Sequence, residues 1–216
     1  MNSLILTDIR KFELRENPKP NIKKTTDVLL KIRAVGICGS DIHYYKNGKI
    51  GDQVIEFPFT IGHECSAIVE STGCGVSRVK PGDRVAIEPA VSCGECDQCK
   101  SGRLHTCRNL KFLGCPGELE GCMSEYIVMP EENCYKIHPS MSLIQGALVE
   151  PLSIGVYSAA FLENSKEKTI GILGSGPIGL SVLLASRANG VKKVFMTDKI
   201  EERLIAADKA GADWIG

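Results

Sequence analysis

The predicted fold class is α/β plus β: a β-rich, barrel-like domain up to about residue 150, then the first part of an α/β domain. Short apolar runs separated by Gly and Pro lie at residues 28–35, 65–71, 84–87 and 126–129. Such spacing is typical of an all-β domain. From residue 143 the pattern becomes helical, and a strand, a glycine-rich turn and a helix follow from residue 168. We therefore place the domains at residues 1–150 and 151–216.

Composition limits the classes of partner. The chain has 216 residues, 43% of them hydrophobic, with 26 basic and 26 acidic side chains. A formal net charge of zero gives no reason to expect nucleic acid or an anionic membrane as a partner. The sequence has neither a signal-peptide layout nor an apolar run of about 18 residues. We expect a protein that binds neither nucleic acid nor membrane.

A dense group of cysteines predicts a structural metal site. Cys93, Cys96, Cys99 and Cys107 follow the pattern C-x2-C-x2-C-x7-C. Two-residue spacers let neighbouring thiolates turn inward on one loop, which suits a closed tetrahedral zinc with four sulfur ligands. The other six of the ten cysteines are dispersed along the chain. This pattern favours a reduced, cytoplasmic protein over a disulfide-bonded secreted one.

A second set of ligand-type residues lies upstream. Cys38 follows the apolar run 28–35, and His63 and Glu64 come as an adjacent pair after Gly62. A thiolate, an imidazole and a carboxylate suit a catalytic zinc, whose three protein ligands leave a position for water or substrate. Each residue alone is a weak signal, but together with a four-cysteine loop they predict a second zinc site.

The second domain opens on a dinucleotide-binding fingerprint. After the short apolar strand that starts at residue 168 come Gly174, Gly176, Pro177, Ile178 and Gly179, in the pattern G-x-G-x-x-G. A helix and a further strand follow the motif. The glycines allow a tight turn, close approach of a pyrophosphate and close packing of helix on strand. We therefore expect the beginning of a Rossmann domain, with the phosphates at the helix N-terminus.

An acidic residue closes the strand after the fingerprint. Asp198 is placed to accept hydrogen bonds from the adenosine ribose and to repel a 2′-phosphate, which favours NAD over NADP. Lys199 and Arg203 follow it, so some tolerance of NADP stays open.

These motifs together resemble the zinc-dependent medium-chain alcohol dehydrogenases, and within them the sorbitol/xylitol (polyol) dehydrogenases. The resemblance covers essentially the whole chain. Its marks are G-I-C-G-S-D at residues 36–41, the stretch 43–52, G-H-E at 62–64, K-P-G-D-R-V at 80–85, the cysteine loop, V-E-P-L at 149–152 and the glycine fingerprint. The chain departs from the family signature at Ala67, where glycine is usual.

The resemblance implies a GroES-like β-barrel catalytic domain, followed by a Rossmann domain that binds NAD. It implies zinc-dependent oxidation of a sugar alcohol to a ketose, with one catalytic and one structural zinc. Ser40 would contact the substrate oxygen, His43 would continue the proton path to solvent, and Tyr44 would line the polyol pocket. Asp41 would orient His63 by accepting a hydrogen bond from the ring nitrogen that does not bind the metal.

The remaining implications leave alternatives open. Glu64 and Glu150 compete for the third protein position at the catalytic zinc, and Glu150 would otherwise hold the metal-bound water or substrate. In the family, the residues at the positions of Ile178 and Arg203 contact the cofactor, so the resemblance implies the same contacts here. A threonine-type amino-alcohol dehydrogenase is the alternative activity, although those relatives usually carry Thr at position 40. The other alternative is an inactive module that binds zinc and NAD.

Relatives of this type continue for well over a hundred further residues. We therefore expect this chain to be an N-terminal fragment that is inactive, or nearly so, by itself. The resemblance also implies a homo-oligomer, a tetramer or a dimer, for the full-length form.

Overall fold

A computed structural model of the chain describes residues 1–162 and 168–216. The chain divides into two compact units, Met1–Leu148 and Val149–Gly216. Each unit is described by itself below.

The first unit is built mainly from short strands. They are β1 (Asn2–Asp8), β2 (Lys11–Glu16), β3 (Asp27–Val35), β4 (Lys49–Ile50), β5 (Gln53–Val54), β6 (Cys65–Thr72), β7 (Arg84–Ile87), β8 (Ala90–Val91), β9 (Lys111–Phe112), β10 (Tyr126–Pro130) and β11 (Cys134–Lys136). Its helices are α1 (Gly39–Asn47), α2 (Asp97–Lys100) and α3 (Leu143–Ala147).

A five-stranded antiparallel sheet of order β10-β3-β6-β7-β11 organises this unit. The pairing of β3 with β6 shifts register at two places, between Leu29 and Leu30 and between Ile32 and Ala34. Such irregularities increase the local twist and bend a sheet. The β-rich first domain expected from the sequence is confirmed.

Two apolar clusters hold the first unit together. The larger one lies on the sheet and includes Val28, Leu30, Val69 and Val85, each at most 2% exposed. The smaller one joins Leu6 of β1 to residues around α1, including Tyr44. Burial of such side chains is the main favourable contribution to the stability of each part.

The second unit begins with a helix and continues as a parallel α/β fold. Its elements are α4 (Val149–Ala160), β12 (Thr169–Leu173), α5 (Pro177–Ala188), β13 (Lys193–Thr197), α6 (Glu201–Lys209) and β14 (Trp214–Ile215). The strands form a parallel sheet of order β12-β13-β14. Leu183, Val194 and Met196 are fully buried in its core. The expected α/β class is confirmed, and α5 begins at Pro177, inside the glycine motif rather than after it.

Several elements were not expected from the sequence, notably the β1–β2 hairpin and α1. Within the ranges 1–162 and 168–216, no helix combines the length and the apolar character needed to cross a membrane.

Candidate metal and cofactor sites

The four-cysteine loop brings its sulfur atoms into one cluster. The Sγ atoms of Cys93, Cys96, Cys99 and Cys107 all lie within 4.8 Å of one another. The separations are 3.5 Å for Cys96–Cys99 and 4.0 Å for both Cys93–Cys99 and Cys96–Cys107. Four sulfur atoms at about 2.3 Å from a central zinc would be about 3.8 Å apart in a tetrahedron. The donor set and its spacing therefore fit a closed zinc site.

Backbone N–H groups lower the pKa of Cys93 and Cys96 and favour their thiolate forms, whereas burial raises the pKa of Cys99 to about 12. The N–H groups of Arg108 and Cys99 lower the pKa of Cys96 to about 6. The N–H of Cys93 donates to Cys107 Sγ at 3.2 Å. A thiolate, not a thiol, is the form that binds a metal, so Cys93 and Cys96 are the two thiols of the loop that are most readily ionised.

A second cluster forms where α1 meets the start of β6. One ligand atom from each of Cys38, His63 and Glu64 lies within 4.8 Å of the others. Cys38 is the residue that precedes α1, and the other two precede β6 directly. His63 and Glu64 are buried, and Cys38 is half-buried. The three predicted ligands are thus brought together by elements that are distant in sequence.

A close backbone approach fixes Glu64. The N–H of Gly36 donates to the Glu64 carbonyl oxygen at 2.7 Å. A Cβ atom placed on Gly36 would lie only 2.3 Å from Glu64 Oε2. The carboxylate therefore lies directly against a backbone that has no side chain.

The environment of this cluster shifts the pKa values of its groups. A hydrogen bond with His63 lowers the pKa of the Cys38 thiol, and Ser40 contributes to the same shift. Burial raises the pKa of the Glu64 carboxyl and also that of Asp41. Asp41 is 2% exposed, and its carboxylate accepts a hydrogen bond from the backbone N–H of Cys38 at 2.9 Å. Asp41 therefore fixes the start of α1, where Cys38 lies.

The other predicted site residues of the first unit share α1. Ser40 is half-buried and lies next to the cluster through its contact with Cys38, whereas His43 is exposed. Tyr44 is 4% exposed, and its hydroxyl donates to Gln53 Oε1 at 3.0 Å. Burial raises the pKa of Tyr44 to about 12. Glu150 belongs to the second unit, in the first turn of α4.

Two neighbours of the site had no sequence signal. The ring of Phe112, in β9, meets the ring of His63 edge-on, with 5.4 Å between centroids. Gln53 Nε2 donates to Cys115 Sγ at 3.1 Å. Both contacts join segments that are far apart in sequence, so only the fold reveals them.

The glycine fingerprint connects β12 to α5 as expected. Gly174 has a φ of +100°, a left-handed conformation that favours glycine. A Cβ on Gly179 would lie 1.9 Å from the Gly174 carbonyl oxygen, so helix and loop are too close for any side chain there. Gly176 precedes α5, and Pro177 is its first residue, a position that suits proline.

Asp198 joins the fingerprint to the end of β13. Its carboxylate accepts hydrogen bonds from the backbone N–H groups of Ser175 at 2.8 Å and Ile200 at 3.0 Å. The Ser175 bond lowers the pKa of Asp198. An Arg203 guanidinium nitrogen lies 3.7 Å from the same carboxylate. Ile178, in the first turn of α5, is 44% exposed.

Comparison with known proteins agrees with this geometry. The sequence profile of the alcohol dehydrogenase GroES-like domain matches residues 24–139, which is more than half of the chain. The chain belongs to this family. The motif-based resemblance to zinc-dependent medium-chain dehydrogenases is thereby confirmed.

Named relatives cover the whole chain. Sorbitol dehydrogenase of Bacillus subtilis is 41% identical over 215 residues, 100% of this chain and 60% of that protein. The probable D-xylulose reductase A of Arthroderma otae is 40% identical over 97% of this chain and 59% of its own length. The chain thus spans about 60% of the length of these relatives.

Solved structures share the fold. Galactitol-1-phosphate dehydrogenase from Escherichia coli superposes with a TM-score of 0.91 at 30% identity, covering 100% of this chain and 60% of that one. The structure titled a putative zinc-binding dehydrogenase from Sinorhizobium meliloti, bound to NADP, superposes with a TM-score of 0.87 at 29% identity. The match covers 100% of this chain and 61% of the Sinorhizobium meliloti chain.

Proposed function

We propose that this protein is a zinc-dependent dehydrogenase that oxidises a sugar alcohol to a ketose and reduces NAD. The observation that carries the proposal is the cluster of Cys38, His63 and Glu64, whose ligand atoms lie within 4.8 Å of one another. Three protein ligands of this kind are typical of a catalytic zinc with one position left for water or substrate. Relatives named for sorbitol and D-xylulose support the substrate class.

The donor sets suit two zinc ions with different roles. Four thiolates satisfy a zinc completely, whereas the mixed set at Cys38 does not. Zinc bound at the mixed set would supply a Lewis acid for the hydroxyl being oxidised, and the nicotinamide ring would accept the hydride. Among the carboxylates, we propose Glu64 as the third ligand, because it shares one cluster with Cys38 and His63.

The residues of α1 would handle the proton. The hydroxyl of Ser40 can accept a proton from the substrate hydroxyl and donate its own onward. His43 is exposed, and an imidazole can both accept and donate a proton, so it can release that proton to solvent. The two residues would therefore connect a half-buried site to water.

The second unit would hold the cofactor. Backbone N–H groups at the start of α5 would face the pyrophosphate, and Asp198 would accept hydrogen bonds from the ribose hydroxyls. A carboxylate disfavours a nearby 2′-phosphate, which supports NAD over NADP. Arg203 lies 3.7 Å from that carboxylate and weakens the preference without removing it.

The test combines metal content with binding. The zinc-loaded chain should bind NAD more tightly than NADP, measured by calorimetry. Glu64→Gln should reduce the zinc content, whereas Glu150→Gln should leave it unchanged. Loss of zinc with Glu150→Gln alone would transfer the ligand role to Glu150. Equal binding of sorbitol and L-threonine in ligand-observed NMR would contradict the polyol assignment.

A further inference from the structure

The four sulfur ligands of the cysteine loop are unevenly spaced along the chain. Cys93, Cys96 and Cys99 follow one another closely, whereas a much longer stretch separates Cys99 from Cys107. All four sulfur atoms nevertheless lie within 4.8 Å of one another. Bringing a distant residue back to its partners costs conformational entropy. We therefore looked for the contacts that hold Cys107 against the other three ligands.

An ion pair joins the residue after Cys96 to the residue after Cys107. The Arg108 guanidinium donates two bonds to the Asp97 carboxylate, from Nε to Oδ1 at 2.5 Å and from Nη2 to Oδ2 at 2.8 Å. The backbone N–H of Arg108 also donates to the Cys96 sulfur. Pairing at two points fixes orientation as well as distance. The chain that follows Cys107 is therefore tied to the chain that follows Cys96.

A second contact holds the residue before Cys107. The hydroxyl of Thr106 donates to Gln98 Oε1 at 2.9 Å. Gln98 Nε2 in turn donates to Asp97 Oδ2 at 2.8 Å, so the two contacts belong to one network. Both chain neighbours of Cys107 are thus bound to residues that lie between two other ligands.

Four side chains make up this network, which we call the loop clamp: Asp97, Gln98, Thr106 and Arg108. We infer that the loop clamp keeps Cys107 on the structural zinc and slows the release of that zinc. The inference rests on the structural zinc of the proposed function and is independent of the dehydrogenase chemistry.

The effect of the loop clamp is expected on metal exchange. The three closely spaced thiolates can hold zinc while Cys107 is dissociated, so the rate of release depends on how often Cys107 returns first. A contact that keeps its sulfur nearby raises the effective concentration of that ligand. The Asp97–Arg108 pair is exposed, with 56% and 65% of the two side chains accessible, and exposed pairs add little to folding stability.

The experiment measures zinc release from the loop to a chromophoric chelator, in a Cys38→Ala parent that leaves only this zinc. Asp97→Asn and Thr106→Val each weaken one contact of the loop clamp and should speed release about three- to tenfold. Glu13→Gln is the matched control. It removes a carboxylate that forms two ion pairs on β2, outside the loop, and should leave the rate unchanged.

A second readout identifies the sulfur that dissociates. The zinc-loaded chain is treated briefly with iodoacetamide, and alkylation of each cysteine is measured by mass spectrometry, with exposed Cys74 as the reference. A free thiolate is the nucleophile in this reaction. In both clamp variants Cys107 should be alkylated faster than in the parent and faster than the other three cysteines of the loop. A general loss of structure would instead expose all four together.

The outcomes separate this inference from the zinc site beneath it. Unchanged release and alkylation in both variants, with zinc held by the parent, would overturn the loop clamp and leave the structural zinc in place. Faster release with equal alkylation of the four loop cysteines would also overturn it. If the parent holds no zinc, the structural site fails and the inference fails with it. If Asp97→Asn cannot be loaded with zinc, Thr106→Val gives the deciding measurement, because it removes a single hydroxyl.

Discussion

Gly36 gives the sharpest test of the mixed-ligand site, because Gly36→Ala places a methyl group against one proposed ligand. The added Cβ would lie 2.3 Å from Glu64 Oε2 and 3.0 Å from Glu64 Cβ. An ordinary contact requires the carboxylate to move by about 1 Å. Zinc sites tolerate deviations of about 0.2 Å in ligand distance. The substitution should therefore displace Glu64 from the metal.

We expect the affinity for zinc at this site to fall by at least about tenfold, equivalent to about 1.4 kcal/mol. The assay is competition for zinc with a chromophoric chelator, which resolves two binding steps. The step that belongs to the four-cysteine loop should be unchanged, and it serves as an internal test that the variant is folded.

Gly39→Ala is the matched control. Gly39 directly follows Cys38, but a Cβ on it meets no atom within 4 Å. This variant should keep both zinc affinities. If Gly36→Ala binds two zinc ions as tightly as the wild type does, Glu64 is not a ligand and the geometric reasoning is refuted.

Three further predictions concern the cysteine loop and the second unit. Cys96→Ser should lose the structural zinc and lower the melting temperature measured by calorimetry, whereas exposed Cys74→Ser should change neither. Gly179→Ala should destabilise the second unit by about 1–3 kcal/mol and abolish NAD binding, because its Cβ has no room. Asp198, whose pKa is lowered by the Ser175 N–H, stabilises the fold when ionised. Its contribution is present above the unfolded pKa of about 3.9 and lost as pH falls through the folded value.

Each of these three predictions has a result that would contradict it. Retention of two zinc ions by Cys96→Ser would exclude the closed loop site. Gly171→Ala, whose Cβ meets no atom within 4 Å, is the control for Gly179→Ala and should bind NAD normally. The stability difference between wild type and Asp198→Asn, measured by urea unfolding, should shrink below about pH 4; a difference that grows there would reverse the assigned sign.

The predicted strands of the central sheet are present because their apolar runs are long and bounded by turn residues. β3 and β6 span 27–35 and 65–72, close to the expected 28–35 and 65–71. α1 was not predicted because its sequence carries no apolar stripe; only Asp41 and Tyr44 are buried on it. Its start depends on the Asp41 side chain, which accepts the N–H of Cys38.

Only part of the site could be predicted from the sequence. Ligand types and spacings indicated the cysteine loop and the residues of the mixed cluster, because zinc chemistry restricts both. The contact of Gln53 with Cys115 spans 62 residues of the sequence, so it forms only when the chain folds. No local pattern encodes such a contact.

Metal content per chain, by elemental analysis of the wild type and of Cys38→Ala, tests the central claim most directly. The account predicts about two zinc ions in the wild type and about one in the variant. Cys115→Ala, which removes a buried thiol outside both clusters, should keep two. About one zinc in the wild type, unchanged by Cys38→Ala, would leave only the four-cysteine loop and would contradict the proposed dehydrogenase chemistry.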